Sequence, residues 1–150
     1  MMLVCCVMAL YVQAEKRITL SSPNEKLSTT ITVGEQLTYD ITCDGRQILN
    51  ASPISMTLDN GQVWGVNARL SKTTRKSVNQ TIPSPFYRFN EMQDCYNEVT
   101  LRFKGNYTVE FRAYNDGIAY RFVNQEKKPF CIVNEEVDYR FPFDAVASVP

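Results

Sequence analysis

Apolar and polar residues alternate along most of the chain with a period of two, which is the pattern of β-strands that bury one face. The alternation runs through residues 27–33 and again through 37–43, and a three-residue loop between them keeps both apolar sets on one face. Asp44-Gly45 follows at once and predicts a two-residue type I′ hairpin turn that opposes Ile41 to Ile48. This part of the chain is therefore predicted to be an antiparallel meander.

The segment YTVEFRAYNDGIAYRF, residues 107–122, carries the clearest hairpin signal. An Asp-Gly pair between two alternating runs favours a two-residue turn, and we place that turn at Asp116-Gly117. The register forms three cross-strand pairs: Ala113 with Tyr120, Phe111 with Phe122 and, on the outer face, Arg112 with Arg121. The apolar side chains of both strands then share one face, at the cost of a like-charge pair that Glu110 partly neutralises.

Shorter runs predict the remaining strands. Residues 54–58 and 62–65 form a hairpin, and residues 99–103 turn at Lys104-Gly105-Asn106 into the hairpin of 107–122. Two more strands are predicted at 131–133 and 137–143. With some nine strands and no sustained helical period, the mature chain is predicted to be all-β, with two packed antiparallel sheets.

The alternation of apolar and polar residues is lost between residues 67 and 97. This stretch is polar, with basic residues between 69 and 76, and it ends in Pro-flanked aromatic residues that include Phe86 and Tyr87. A connection of this length without structure is unusual inside a domain and is more often functional than a plain link. We therefore predict a functional or interface loop here.

The first fourteen residues, MMLVCCVMALYVQA, are an apolar run too short to span a bilayer, and polar sequence follows them. Val12 and Ala14 occupy the −3 and −1 positions of a signal-peptide cleavage site. We predict a signal peptide at 1–14 and an exported mature chain, 15–150, that forms one domain. A short membrane anchor is the alternative interpretation.

Composition narrows the possible chemistry. Sixteen basic and sixteen acidic residues leave no net charge, which argues against a nucleic-acid partner. The sequence contains no histidine, and this excludes histidine-activated serine or cysteine nucleophiles within these residues. The mature chain keeps Cys43, Cys95 and Cys131, which match no zinc motif and permit at most one disulfide.

Three segments in the same order resemble one known family. They are LSSPNEKLSTTITVGEQLTYDI, PISMTLDNGQVWG and YNEVTLRFKGNYTVEFRAYNDGIAYRF. Together they are similar to the N-terminal domain of glycoside hydrolase family 97, the family of the α-glucosidase in bacterial starch-utilisation systems. The resemblance covers residues 18–143, which is nearly all of the mature chain.

The resemblance implies a β-super-sandwich of the galactose-mutarotase type, here incomplete, packed against a catalytic (β/α)8 barrel outside these residues. It implies a periplasmic α-glucosidase or α-galactosidase that acts on α-linked oligosaccharides, with its catalytic carboxylates on the barrel and calcium in the full-length enzyme. It carries no catalytic, cofactor or metal residue onto this sequence. The 150 residues alone are expected to be an inactive, carbohydrate-facing domain.

Two alternatives from other classes are a free-standing carbohydrate-binding or cell-surface module and a mutarotase-like enzyme. The lack of histidine weakens the second, because mutarotase chemistry is usually assigned to histidine and carboxylate pairs.

Glycoside hydrolysis needs two carboxylates about 5–10 Å apart. The candidates are Asp94 with Glu98, and the group Glu135, Glu136 and Asp138. Because adjacent strand residues point to opposite faces, we interpret these carboxylates as solvated side chains.

Aromatic side chains offer a second kind of carbohydrate contact, because the apolar face of a sugar ring packs on an aromatic ring. The candidates are Trp64, Phe86, Tyr87 and Tyr96. Aromatic residues of a sandwich are more often core or interface. For Phe86 and Tyr87, in the Pro-flanked stretch, docking against the barrel is the better explanation; Trp64 stays a possible sugar or barrel contact.

Overall fold

Two antiparallel sheets face each other across an apolar core in the computed structural model, which describes residues 15–84, 90–144 and 146. The described residues form ten strands and no helix, so the all-β, two-sheet prediction is confirmed. Since they hold no helix, none of them can form a helical membrane span. The predicted signal peptide at 1–14 lies outside the described residues, as do Phe86 and Tyr87.

The first sheet has six strands in the order β1-β2-β3-β4-β10, and β5 pairs with β4. Its strands are β1 (Lys16–Ser21), β2 (Leu27–Val33), β3 (Leu37–Cys43), β4 (Arg46–Leu58), β5 (Val63–Trp64) and β10 (Ile132–Val137). The second sheet has four strands in the order β6-β7-β8-β9. They are β6 (Leu70–Pro83), β7 (Glu91–Phe103), β8 (Tyr107–Tyr114) and β9 (Ile118–Asn124).

Alternating residues of both sheets build the core. In β2 every second residue is buried, and in β8 Val109, Phe111 and Ala113 are fully buried. Tyr39 of the first sheet meets Phe111 of the second, with ring centroids 6.0 Å apart. Each such buried side chain stabilises the fold by roughly 1.5–3 kcal/mol, so the alternation fixes which face of each strand turns inward.

Three predicted turns are confirmed. Three-residue loops connect β2 to β3, where Val33 pairs with Leu37, and β7 to β8. Asp44 and Gly45 have φ of 47° and 78°, as a type I′ turn requires. The predicted pairing of Ile41 with Ile48 is wrong, however. Ile41 pairs with Leu49, because a bulge after Ile41 shifts the register of β4.

The predicted register of the 107–122 hairpin is wrong by two residues. Val109 pairs with Phe122 and Phe111 with Tyr120, so the turn residues are Asn115 and Asp116. The predicted inward face is unchanged, since a shift of two keeps every side chain on its side. The observed register replaces the like-charge pair with an attractive one, because Glu110 now opposes Arg121 at 2.6 Å.

Two further strand predictions are corrected. The polar stretch predicted as a loop at 67–97 contains the long strand β6 and the first part of β7, which form a hairpin. β6 is exposed almost throughout and therefore carries no alternation of apolar residues to reveal it. The two strands predicted at 131–133 and 137–143 are a single strand, β10, and residues after Val137 do not continue it.

The two sheets differ in width, and this leaves one side of the core open. The inward residues of the edge strand β9 are only half-buried, unlike their fully buried partners on β8: they are Ile118, Tyr120 and Phe122. At the same side of the first sheet, Ile132 is 50% and Val133 66% exposed. The apolar residues of β9 and β10 on this side of the sandwich, which we call the open side, are therefore partly exposed to solvent.

Gly65 lies where β5 turns back against β4. Its φ of 92° is unfavourable for other residues, and a Cβ there would collide with the carbonyl oxygen of Ile54. Its own carbonyl accepts a hydrogen bond from Leu37 N–H at 2.7 Å. Its N–H donates to the Tyr107 hydroxyl of the second sheet at 3.2 Å. This glycine thus connects both sheets.

Replacing Gly65 tests this junction, and Gly61 provides a matched control. Gly61 also has positive φ, at 81°, but a Cβ there meets nothing within 4 Å. Gly61→Ala should therefore cost only the backbone penalty of about 1 kcal/mol. Gly65→Ala should cost about 3 kcal/mol or more, because the added methyl must also displace β4. Urea unfolding followed by circular dichroism measures both, and equal losses would contradict the account.

Candidate functional site

The nominated acids on β10 and just after it line a cavity with a volume of about 500 Å³. Glu135, Glu136 and Asp138 line it together with Gln36 and Ser55. The cavity lies at the edge of the first sheet, where β10 pairs with β4. The structure therefore brings this group of acids to one cavity.

These carboxylates do not converge as an acid–base pair would. Glu135 pairs with Met56 and Glu136 with Ser55, so their side chains leave opposite faces of β10. Ser55 Oγ donates to Glu136 Oε2 at 3.4 Å. Asp138 forms a 2.9 Å ion pair with Arg140. The interpretation of this group as separate strand and turn carboxylates agrees with the pairing.

Asp94 and Glu98, the other nominated pair, are also separated. Both lie on one face of β7, four residues apart, which corresponds to about 13 Å along a strand. Asp94 accepts a hydrogen bond from Gln80 Nε2 at 3.0 Å. This separation exceeds the distance between the two catalytic carboxylates in both retaining and inverting glycoside hydrolases.

Glu98 is instead the centre of a charge cluster with Lys76 and Arg112, so the interpretation of it as a solvated side chain is wrong. It lies on the outer face of the second sheet and yet is only 3% exposed. Its carboxylate accepts from Arg112 Nε at 2.7 Å and pairs with Lys76 Nζ at 3.0 Å. The Arg112 guanidinium lies 4.4 Å from the centre of the Tyr96 ring. Tyr96 is therefore covered by Arg112 rather than free to stack on a sugar.

Burial of Glu98 opposes its ionisation, but the hydrogen bonds from Arg112 and Lys76 outweigh that effect. Together they hold the pKa of Glu98 below its ordinary value of 4.5. Burial lowers the pKa of Arg112, whereas the hydrogen bonds with Tyr114 and Glu98 raise it. The net shift of this pKa is upwards. Both groups therefore stay charged at neutral pH, which suits a structural ion pair and does not suit a general acid.

Trp64, another nominated aromatic residue, is a core residue with 4% exposure. Its ring stacks on Tyr107 with centroids 4.8 Å apart and planes at 7°. Phe130 covers it at 5.5 Å from another direction. These contacts leave little of the ring for a sugar, and a role of Trp64 in barrel contact stays a prediction.

The acidic and cysteine side chains of the described residues are the remaining candidates for metal or redox chemistry. No three acidic, cysteine or histidine residues among them lie close enough to hold a metal ion. The calcium expected for the full-length enzyme stays a prediction. Cys43, Cys95 and Cys131 are free thiols, the last of them exposed.

Sequence reasoning missed the cluster around Glu98. Lys76, Glu98 and Arg112 lie on three different strands, and only the pairing of β6, β7 and β8 brings them side by side. Lys76 belongs to the stretch predicted as a loop, so its pairing with Glu98 is not visible in the sequence pattern. The one hint in the sequence was the like-charge pair of Arg112 and Arg121 in the predicted register, a cost that the observed register removes.

Comparison with known families gives a match over most of the chain. The family model described as Glycosyl-hydrolase 97 N-terminal matches residues 20–150. A retaining alpha-galactosidase of Bacteroides thetaiotaomicron is 65% identical over 149 residues. The match covers 99% of this chain but only 22% of that protein, so the chain spans about a fifth of its relative.

Solved structures match the fold. A glycoside hydrolase family 97 enzyme of Pseudoalteromonas sp. strain K8, in complex with acarbose, superposes with a TM-score of 0.73 at 20% identity, covering 83% of this chain and 20% of that one. A beta-arabinopyranosidase superposes with a TM-score of 0.73 at 21% identity, over 83% and 21% of the two chains. At this level of identity the likeness concerns the fold alone.

Removing the charge of Glu98 tests its structural role. Glu98→Gln should destabilise the chain at neutral pH by about 2 kcal/mol, since it leaves Arg112 and Lys76 without their buried partner. Because the folded-state pKa lies below 4.5, the contribution of Glu98 is present above that value and is lost as the pH falls through the folded-state pKa. The stability difference between the two proteins should therefore shrink in acid.

Urea unfolding between pH 3 and pH 7 measures this difference. Glu110→Gln is the control, because Glu110 pairs with Arg121, which is well exposed, and should cost less than about 1 kcal/mol. A Glu98→Gln loss that stays constant across this pH range would refute the assignment.

Proposed function

Because this chain belongs to the glycosyl hydrolase 97 N-terminal family, we propose that it serves as the non-catalytic domain of an exported α-galactosidase. The observation that carries the proposal is the 65% identity to a retaining alpha-galactosidase over 99% of the chain. The substrate is then an α-linked galactoside, bound by the whole enzyme. The alternative is that the whole enzyme is an α-glucosidase.

Catalysis belongs in this proposal to the larger part of the enzyme, the (β/α)8 barrel. The described carboxylates support that division, because Glu98 is held in an ion pair and the acids of β10 leave opposite faces. Calcium is assigned to the same larger part, as the family resemblance implies. The proposed location is the periplasm, reached through the signal peptide predicted at 1–14.

The domain's own role in this proposal is mechanical. Its open side presents half-buried residues of β9 and exposed residues of β10 next to an intact core. Apolar surface of this kind is unfavourable in water and is characteristic of a face that another part of a protein covers. We assign that covering part to the polypeptide that family relatives carry beyond the matched fifth.

Hydrolysis assays test the proposal. Residues 15–150 and the continuous longer reading frame should be expressed in parallel and assayed on p-nitrophenyl α-galactoside and α-glucoside, with and without a calcium chelator. Activity on the α-galactoside in the longer protein, lost with chelator and absent from 15–150, is the expected result. Hydrolysis by residues 15–150 would contradict the proposal.

A reading frame that stops at Pro150 would also contradict the proposal and would favour a free-standing module. A preference of the longer protein for the α-glucoside would keep the domain assignment and replace the substrate. Equal rates with and without the chelator would remove calcium from the proposal and leave the rest in place.

A further inference from the structure

The hairpin of β6 and β7 extends past the rest of its sheet. β7 pairs with β6 from Phe103 to Glu91, whereas β8 pairs with β7 only as far as Tyr96. Residues 79–83 and 91–95 therefore form a two-stranded projection, which we call the arm. About five residues of each strand project, or roughly 17 Å.

The two faces of the arm differ in chemistry. On the face that continues the inner side of the sheet, polar side chains satisfy one another: Gln93 with Asn79 at 2.6 Å and Thr81 with Gln93 at 3.3 Å. The opposite face carries the apolar cross-strand pair of Ile82 and Met92, which are 38% and 43% exposed. The apolar pair lies on the same face as Tyr96 and the Glu98 cluster.

A two-stranded hairpin in water is marginally stable unless a further layer covers its apolar face. Within the described residues Ile82 and Met92 keep 38% and 43% of their surface exposed, although the polar face of the arm is already hydrogen-bonded. The uncovered surface is thus one-sided: it is the outer face of the arm, continuous with the outer face of the second sheet.

We propose that the outer face of the arm, centred on Ile82 and Met92, docks onto the larger part of the full-length polypeptide. This inference rests on the proposed function, which places this chain in a longer enzyme. The length of the relatives supports an occupant in the same polypeptide, because this chain matches 22% of the alpha-galactosidase and 20% of the Pseudoalteromonas enzyme. The contact is distinct from the open side, which lies at β9 and β10.

Methionine oxidation in the full-length protein tests the contact, because sulfoxide formation follows the exposure of the sulfur. Met92 should resist dilute hydrogen peroxide when the arm is docked, and buried Met56 reports that the sandwich is folded. Ile82→Lys should release Met92 and raise its oxidation rate about tenfold. Thr81→Lys adds the same charge one residue away on the polar face and should leave the rate unchanged. Peptide mass spectrometry measures each site.

Three results would overturn the inference: free oxidation of Met92 in the wild-type protein, protection that survives Ile82→Lys, or protection that disappears on dilution. The last result would identify a second copy as the occupant. Hydrolysis of the α-galactoside is measured on the same samples. A full-length protein without that activity refutes the proposed substrate, whereas the oxidation pattern of Met92 reports the docking independently.

Discussion

The close approach of the Gly65 backbone to β4 is the constraint on which the arrangement of the two sheets depends. Its carbonyl holds the start of β3 through Leu37, and its N–H reaches the Tyr107 hydroxyl on β8. Trp64, the preceding residue, stacks on the same tyrosine ring. One short strand thus joins the two sheets by hydrogen bonds and by ring packing, and any displacement of β5 would disturb both.

Much of this fold could be predicted from the sequence, because one face of most strands is buried and apolar residues mark that face. Registers that differ by two residues bury the same side chains, so alternation does not distinguish them at 107–122; the observed register is the one that pairs Glu110 with Arg121. β6 has no buried face and could not be recognised by alternation. The Glu98 cluster depends on β6, and it was missed for the same reason.

Charged side chains and exposed apolar side chains have different surroundings in this structure. Several of its charged groups are paired within the domain, as Glu98 is with Arg112 and Asp138 with Arg140. Its exposed apolar side chains include Ile132 and Val133 at the open side and Ile82 and Met92 on the arm. This distribution suits a domain that packs against another part of a protein, since apolar contact rather than acid–base chemistry is what its free surfaces provide.

Amide hydrogen exchange of β9 in the full-length protein tests the central claim most directly, namely that the rest of the polypeptide completes this domain. β9 has one hydrogen-bonded neighbour, β8, in the described residues. The account predicts that the amides of Ile118–Asn124 on the free edge exchange as slowly as those of β8. Rapid exchange of every second amide of β9 in the full-length protein would contradict it.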